Sequence, residues 1–288
     1  MEGKGWRRLK RREAARGEVF LRGRERYCVS VCSRFLNPDS SDRLWVYPAG
    51  SPVSQGNGQP AALLLYSRRI LFPVFGGCLD IPSPKFLSRF LILKPIHAIQ
   101  GLTEEAAILE ETALSLGKEK TEQFDYDLMS LDRRPAAVSP GGASPSLCVF
   151  TPGLGELDEL FPLQAAYEKE EVIPRGGKFY AESSRFSLER VIKGGQILAA
   201  RVEGKIVGKI HCNAQSFTRF QIGGVYVHPD YRGLGIATAM TLAMVESLFN
   251  QGQEKGITLF VKKRNAAALA VYKKAGFVYT ADYRISYY

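Results

Sequence analysis

The sequence predicts an α/β (α+β) chain in two domains. Three observations carry that prediction. A stretch dominated by Pro, Gly and Ser, Asp132–Gly155, separates two patterned halves, and such composition makes a linker rather than a core. From Leu147 onward, short apolar runs of strand length alternate with segments of helical length. At Gln221–Ala239 a strand runs into a Gly-rich turn that opens a long helix. With 288 residues, either half has enough chain for its own core. The expected boundaries are an N-terminal α/β domain over residues 1–138, a linker over 139–146 and a C-terminal domain over 147–288.

In the first domain Glu13–Phe35 carries apolar residues at mixed three-to-four spacing, which predicts one long helix. Arg43–Tyr47 and Ala61–Ser67 are strand-length apolar runs. A helix is expected over Lys85–Leu93 between two prolines, then a strand Ile96–Gln100. Thr103 is expected to cap a helix that starts with Glu104 and Glu105, where carboxylates suit the dipole, and ends near Gly117. Phe124–Leu131 returns as a strand. No chemical motif stands in this half.

The second half begins with a strand Leu147–Phe150 and a helix Glu156–Glu171 that contains Pro162. Ser187 is expected to cap a helix Leu188–Lys193, stopped by Gly194-Gly195. Ile197–Val202 and Lys205–Asn213 read as a hairpin turning at Glu203-Gly204. There follow a strand Arg219–Val227, a helix Gly235–Asn250, a strand Ile257–Val261 and a helix Ala266–Ala275. A strand pair, Phe277–Thr280 with Tyr283–Tyr288, closes the chain.

Composition narrows the function classes. Hydrophobic residues are 45% and charged residues 24%, which is globular composition. No apolar run reaches the ~18–20 residues of a membrane span, and no apolar stretch follows the basic N-terminus, so a cytoplasmic location is expected. The net charge of +10 is concentrated: residues 1–34 hold eleven Lys or Arg against four Glu. That leaves an ordinary balance elsewhere, so the basic segment reads as a solvated helix and nucleic acid is not an expected partner. The five cysteines and three histidines are scattered, which fits buried reduced thiols and no metal site.

The chemistry lies in QIGGVYVHPDYRGLGIATA, residues 221–239. Pro229 ends the strand, and the turn presents unpaired amides at a helix N-terminus, where the dipole also favours an anion. Gly233 and Gly235 permit positive φ and a close approach by phosphate. No Lys-Ser/Thr follows the last glycine, so this is not a P-loop, and the GxGxxG order of a dinucleotide fold is missing.

With its surroundings this motif resembles the GCN5-related N-acetyltransferase (GNAT) superfamily. VHPDYRGLGIATAM at 227–240 is similar to the family's cofactor motif, and LFVKKRNAAALAVYKKAGF at 259–277 to its strand–Asn–helix–Tyr–Gly-Phe block. The resemblance covers about half the chain, and its implications are specific. The fold would be a mixed, mostly antiparallel sheet flanked by helices, splayed open at the strand Arg219–Val227. The preceding domain resembles the degenerate first half of two-domain bacterial members. Amides of Arg232, Gly233, Leu234, Gly235, Ile236 and Ala237 would hold the pyrophosphate of acetyl-coenzyme A. Main-chain groups of Val225, Tyr226 and Val227 would meet the pantetheine arm, and Asn265 would cap its helix while reaching toward the cofactor. Tyr272 would be the general acid for the leaving thiolate. For the base, Glu170, Glu171, Glu182 and His228 are candidates, with Glu171 preferred.

The expected reaction is direct transfer of acetyl to a primary amine. No cysteine lies in either motif, which argues against a Cys-linked acyl enzyme. Two alternatives stay open: an acyl-coenzyme A sensor or protein-interaction module, and aminoacyl transfer from charged tRNA. Mixed charge on the acceptor side points to a peptide, protein or amino-acid-like amine over a polyamine. The sequence sets neither the acceptor's identity nor an oligomeric state.

Overall fold

The computed structural model describes residues 5–10, 13–47, 60–76, 84–135, 146–251 and 256–288. Cys78 and the expected linker residues 139–145 lie outside the described residues. The chain divides into two compact units, Met1–Leu128 with Thr280–Tyr288, and Met129–Tyr279. The division falls inside a strand, and the last strand of the chain returns to the first unit.

The elements up to that division are β1 (Arg7–Arg8), α1 (Ala14–Arg22), α2 (Val29–Leu36), β2 (Arg43–Tyr47), β3 (Ala62–Ser67), β4 (Ile70–Val74), α3 (Pro84–Leu93), β5 (Ala98–Leu102), α4 (Thr103–Ser115) and β6 (Glu122–Leu131). Then come β7 (Cys148–Phe150), α5 (Leu157–Tyr167), α6 (Ala181–Lys193), β8 (Ile197–Val202), β9 (Lys205–Gln215) and β10 (Arg219–Val227). The chain ends with α7 (Ile236–Phe249), β11 (Gly256–Lys262), α8 (Ala266–Lys274) and β12 (Val278–Tyr287).

In the first unit the strand order is β1-β2-β3-β4-β5-β12-β6. Its core gathers Leu64, Leu71 and Phe75 from the strand side with Leu87, Phe90, Leu109 and Ala113 from α3 and α4. Trp6 stacks on Phe86 at 5.6 Å and meets Tyr47 and Phe75 edge-on. In the second unit the order from β11 outward is β11-β10-β9-β8-β7. Strands β10 and β11 run parallel, whereas β7–β8, β8–β9 and β9–β10 are antiparallel. Alternation along β8 shows how the strands of the second unit are covered on both faces. Leu198, Ala200 and Val202 join Met240, Met244 and Leu248 of α7, while Ile197 and Ala199 join Leu160 and Leu163 of α5 and Leu188 and Ile192 of α6. Burying each Leu, Ile, Val or Met among them contributes about 1.5–3 kcal/mol.

Several elements differ from the sequence reading. The expected helix Glu13–Phe35 breaks into α1 and α2 around Gly23, and a 3-10 turn Glu25–Tyr27 carries Glu25 into the interior. Glycine is a poor helix former, second only to proline, and Cys28 at φ −141° completes the break. The basic N-terminus is not simply a solvated helix, because Arg7–Arg8 pair with β2. Strand β4 was not expected; Arg68 and Arg69 turn it back on β3 at φ 50° and 67°, where an Asn-Gly pair is the usual signal. Thr103 is the first helical residue of α4, not its cap, and neither Leu102 before it nor Tyr180 before α6 caps with a side chain. Helix α6 starts at Ala181 rather than after Ser187 because its buried face extends back to Ser184. The closing strand pair is one strand, β12, without a turn between its parts. Among the described cysteines, Cys28, Cys32 and Cys212 are buried but Cys148 is exposed.

Candidate functional site

The parallel pairing of β10 with β11 covers Arg219↔Gly256 to Ile222↔Leu259 and stops there, although β10 runs on to Val227 and β11 to Lys262. On its other side β10 shifts register against β9 between Gly223↔His211 and Tyr226↔Lys209. Two residues, Gly224 and Val225, therefore oppose one, which is a β-bulge. Gly224 takes φ +60°, and a Cβ there would collide with the imidazole of His211. Only glycine fits both constraints. The sheet thus opens at the middle of β10, where the sequence reading expected a distortion at Gly223-Gly224.

Beyond β10 a 3-10 turn Pro229–Tyr231 leads into Arg232-Gly233-Leu234-Gly235. Gly233 and Gly235 both hold positive φ, 83° and 74°. Ala239 donates the first helical hydrogen bond, to Gly235 O. The amides of Ile236, Ala237 and Thr238 precede it and have no intrahelical acceptor, so they face the turn with the positive end of the dipole. Arg232 departs from its expected role: its amide already donates to Pro229 O at 3.1 Å. Its guanidinium instead ties the turn down, with Nε donating to Val227 O at 3.1 Å and another nitrogen to Glu170 at 3.0 Å. The Val227 carbonyl is thereby occupied as well.

Helix α5 ends in a π-helical turn, Glu168–Val172, where the sequence reading continued an α-helix. Such turns concentrate at functional sites because they re-aim side chains. Here the turn reaches both diverging strands. Glu170 accepts from Tyr226 Oη of β10 at 2.5 Å and from Arg232, and these donors hold its carboxyl below the usual range against the opposing effect of burial. Burial, then the Glu170 carboxylate, pushes the Tyr226 hydroxyl up to about 12. Glu171 forms a 2.8 Å ion pair with the buried Lys262 of β11. Tyr272 on α8 is buried, meets Phe277 edge-on at 6.1 Å, and has its pKa raised by burial first and then by Tyr167 and Glu171. The two residues assigned to acid and base from sequence are therefore electrostatic neighbours. Asn265 caps α8, its Oδ1 accepting from Ala268 N at 3.0 Å. His228 turns back on its own loop, accepting from Asp230 N, and Glu182 is exposed on the first turn of α6, so neither joins this group.

Sequence reading missed a second layer beneath the bulge. Lys209 on β9 is fully buried; its Nζ donates to Gly224 O at 2.9 Å and lies 4.4 Å over the Tyr167 ring. His211, two residues on, is also buried. The signal available was a Lys and a His inside an apolar strand that has helices on both faces. Among the described residues no three His, Cys, Asp or Glu side chains converge as a metal site, and no helix is long and apolar enough to cross a membrane.

A mixed sheet that splays beside a bulged strand, with a glycine-rich turn at the head of the next helix, agrees with a GNAT-type fold. Residues 160–277 match the model of the Acetyltransferase (GNAT) family, and this part of the chain is a GNAT domain. The mycothiol acetyltransferase of Saccharomonospora viridis is 41% identical over 91 residues, 29% of either chain. That of Paenarthrobacter aurescens is 32% identical over 159 residues, 52% of this chain and 47% of its own. The chain thus spans less than half the length of these relatives. A tandem GNAT protein from the clavulanic acid biosynthesis pathway, solved without acetyl-coenzyme A, shares the fold over 98% of this chain and 97% of its own, with a TM-score of 0.59 and 13% identity. The tandem likeness agrees with an α/β unit preceding the GNAT domain.

Proposed function

We propose that the second unit is an N-acetyltransferase that takes acetyl from acetyl-coenzyme A and passes it to a primary amine by direct attack. The observation that carries the reading is the end of β10–β11 pairing at Ile222↔Leu259, next to a turn whose amides have no helical acceptor. The opening accepts an extended arm between the strands, and the turn accepts phosphate; the residues present fit that group. When bound, acetyl-coenzyme A supplies an activated thioester.

The chain's own groups divide the work. Amides from Gly233 to Ala237 hold the pyrophosphate, while Arg232 fixes the turn through its side chain. Main-chain groups at Val225 and Tyr226 align the arm and stabilise charge on the thioester oxygen, commonly the largest catalytic contribution. Glu171, fixed by Lys262, takes the amine's proton directly or through one water. Tyr272 keeps its proton because burial disfavours the phenolate, and delivers it to the sulfur. Asn265 orders the start of α8 and so places Tyr272. The bond from nitrogen to carbonyl carbon forms as the carbon–sulfur bond breaks, with one proton lost at nitrogen and one gained at sulfur.

The acceptor we assign is a peptide, protein or amino-acid-like amine. Glu170 and Glu171 of the π turn are already paired with Arg232 and Lys262, so they offer a polycation little net field. Release of free thiol from acetyl-coenzyme A, measured across lysine peptides, amino acids, polyamines and aminoglycosides, tests both parts. Turnover with peptides or amino acids is expected. Turnover confined to polyamines overturns the acceptor assignment, and cofactor binding without turnover on any amine moves the reading to acyl-coenzyme A sensing.

A further inference from the structure

We infer that Lys209 is a positioning residue for the cofactor arm: its buried ammonium fastens the Gly224 carbonyl and so keeps the β10 bulge open. The inference rests on the cofactor reading above and extends it to a residue outside both sequence motifs.

A bulge turns a carbonyl out of the ladder, and a buried carbonyl needs a donor. At Gly224 that donor is Lys209 Nζ, at 2.9 Å. The side chain crosses beneath the bulge from the neighbouring strand, with its stem buried and its head over Tyr167. Burying an ammonium is unfavourable by several kcal/mol, and an apolar side chain of equal length would pack in the same slot without that penalty. A residue kept only for stability would be expected to lack the charge. Here the charge sits on the one strand distortion that the cofactor reading requires.

The groups facing Lys209 set its titration. Burial pushes it down to about 7, and Glu168 of the π turn opposes that shift. The Tyr167 ring lies under it from α5, and His211 on its own strand is held neutral, pushed down to about 3 by burial and then by the Lys209 charge. Glu168 is itself held by Gln164, whose amide donates to it at 2.6 Å. A charged donor bonds a carbonyl more strongly than a neutral one. Hold on the bulge should therefore weaken as pH rises through the Lys209 titration.

The test uses the full chain, Lys209→Met, and two probes measured by calorimetry. Coenzyme A reaches both the cradle and the bulge, whereas 3′-phospho-ADP, its nucleotide half, reaches the cradle alone. The expected result is about tenfold weaker coenzyme A binding, unchanged 3′-phospho-ADP binding, and a thermal midpoint equal to or above wild type. The affinity gap between wild type and Lys209→Met should narrow as pH rises through about 7. Glu168→Gln, which removes the opposing anion without disturbing the core, should move that inflection to lower pH. Equal loss of both probes, or unchanged coenzyme A binding in Lys209→Met, overturns the inference and leaves the cofactor reading standing. Absence of binding of either probe to wild type overturns both.

Discussion

In each unit a parallel strand pair stops short, and the two stops are finished differently. In the first unit β4 and β5 pair only at Ile70↔Ala98 and Leu71↔Ile99, although both strands continue. Beyond that stop, Glu105 at the head of α4 accepts from Phe75 N at 2.8 Å, and Arg24 donates to the Gly76 carbonyl. The main chain there is satisfied by the unit's own side chains. In the second unit the β10–β11 stop is followed by glycine-rich turn and helix-start amides that precede the first helical bond. The same interruption of a sheet thus yields a self-bonded corner in one case and, in the other, a turn whose first helical amides are left for the proposed phosphate. The difference is a carboxylate: Glu105 takes up a main-chain amide in the first unit, whereas Arg232 and Lys209 bond carbonyls in the second.

The largest way to break this contrast is to put a carboxylate into the cradle. Gly235→Glu should abolish coenzyme A binding, because it sets bulk and negative charge at the helix N-terminus where Glu105 closes the other unit. Gly235→Ala serves as the control for the strain of φ 74°, and should weaken binding far less. Calorimetry on the two variants separates charge from strain.

Next in size is the catalytic assignment. Tyr272→Phe should lower kcat at least tenfold and leave coenzyme A affinity within about twofold. A matching loss of affinity would show that the ring's packing on Phe277 matters more than its proton.

The smallest expected effect is on stability, and it has opposite signs in the two units. Burial raises Glu105 to about 7, with the Phe75 amide and Arg24 opposing. Its folded pKa lies above the unfolded one, so the folded state binds more protons between roughly pH 4.5 and 7 and stability falls as pH rises through that window. Lys209 is lowered from 10.5 to about 7, so the unfolded state binds more protons and stability rises between those values. Thermal melts should show Glu105→Gln removing a loss of a few degrees below neutrality, and Lys209→Met removing a gain above it. Parallel curves for wild type and both variants would contradict these burial arguments.

The contrast between units also explains what the sequence made legible. Pro229, Gly233 and Gly235 punctuate the cradle, and glycine at positive φ is a mark that survives without coordinates. The Glu203-Gly204 hairpin is readable for the same reason, with φ 49° and 82°. Arg68 and Arg69 adopt a comparable turn with no such mark, so β4 went unseen, and with it the parallel pair of the first unit. Lys209 was hidden differently. A strand covered by helices on both faces loses the alternation that separates inward from outward residues, and Lys205 and Lys209 look alike in KIVGKIHC although one is exposed and the other buried. The π turn leaves no periodic trace, so Glu170 and Glu171 could be nominated as bases but not assigned to different strands.

Calorimetric titration of wild type with coenzyme A tests the central claim most directly. The account predicts saturable binding that Gly235→Glu removes and that 3′-phospho-ADP competes away. Absence of binding at millimolar coenzyme A, or binding that Gly235→Glu leaves unchanged, would contradict it.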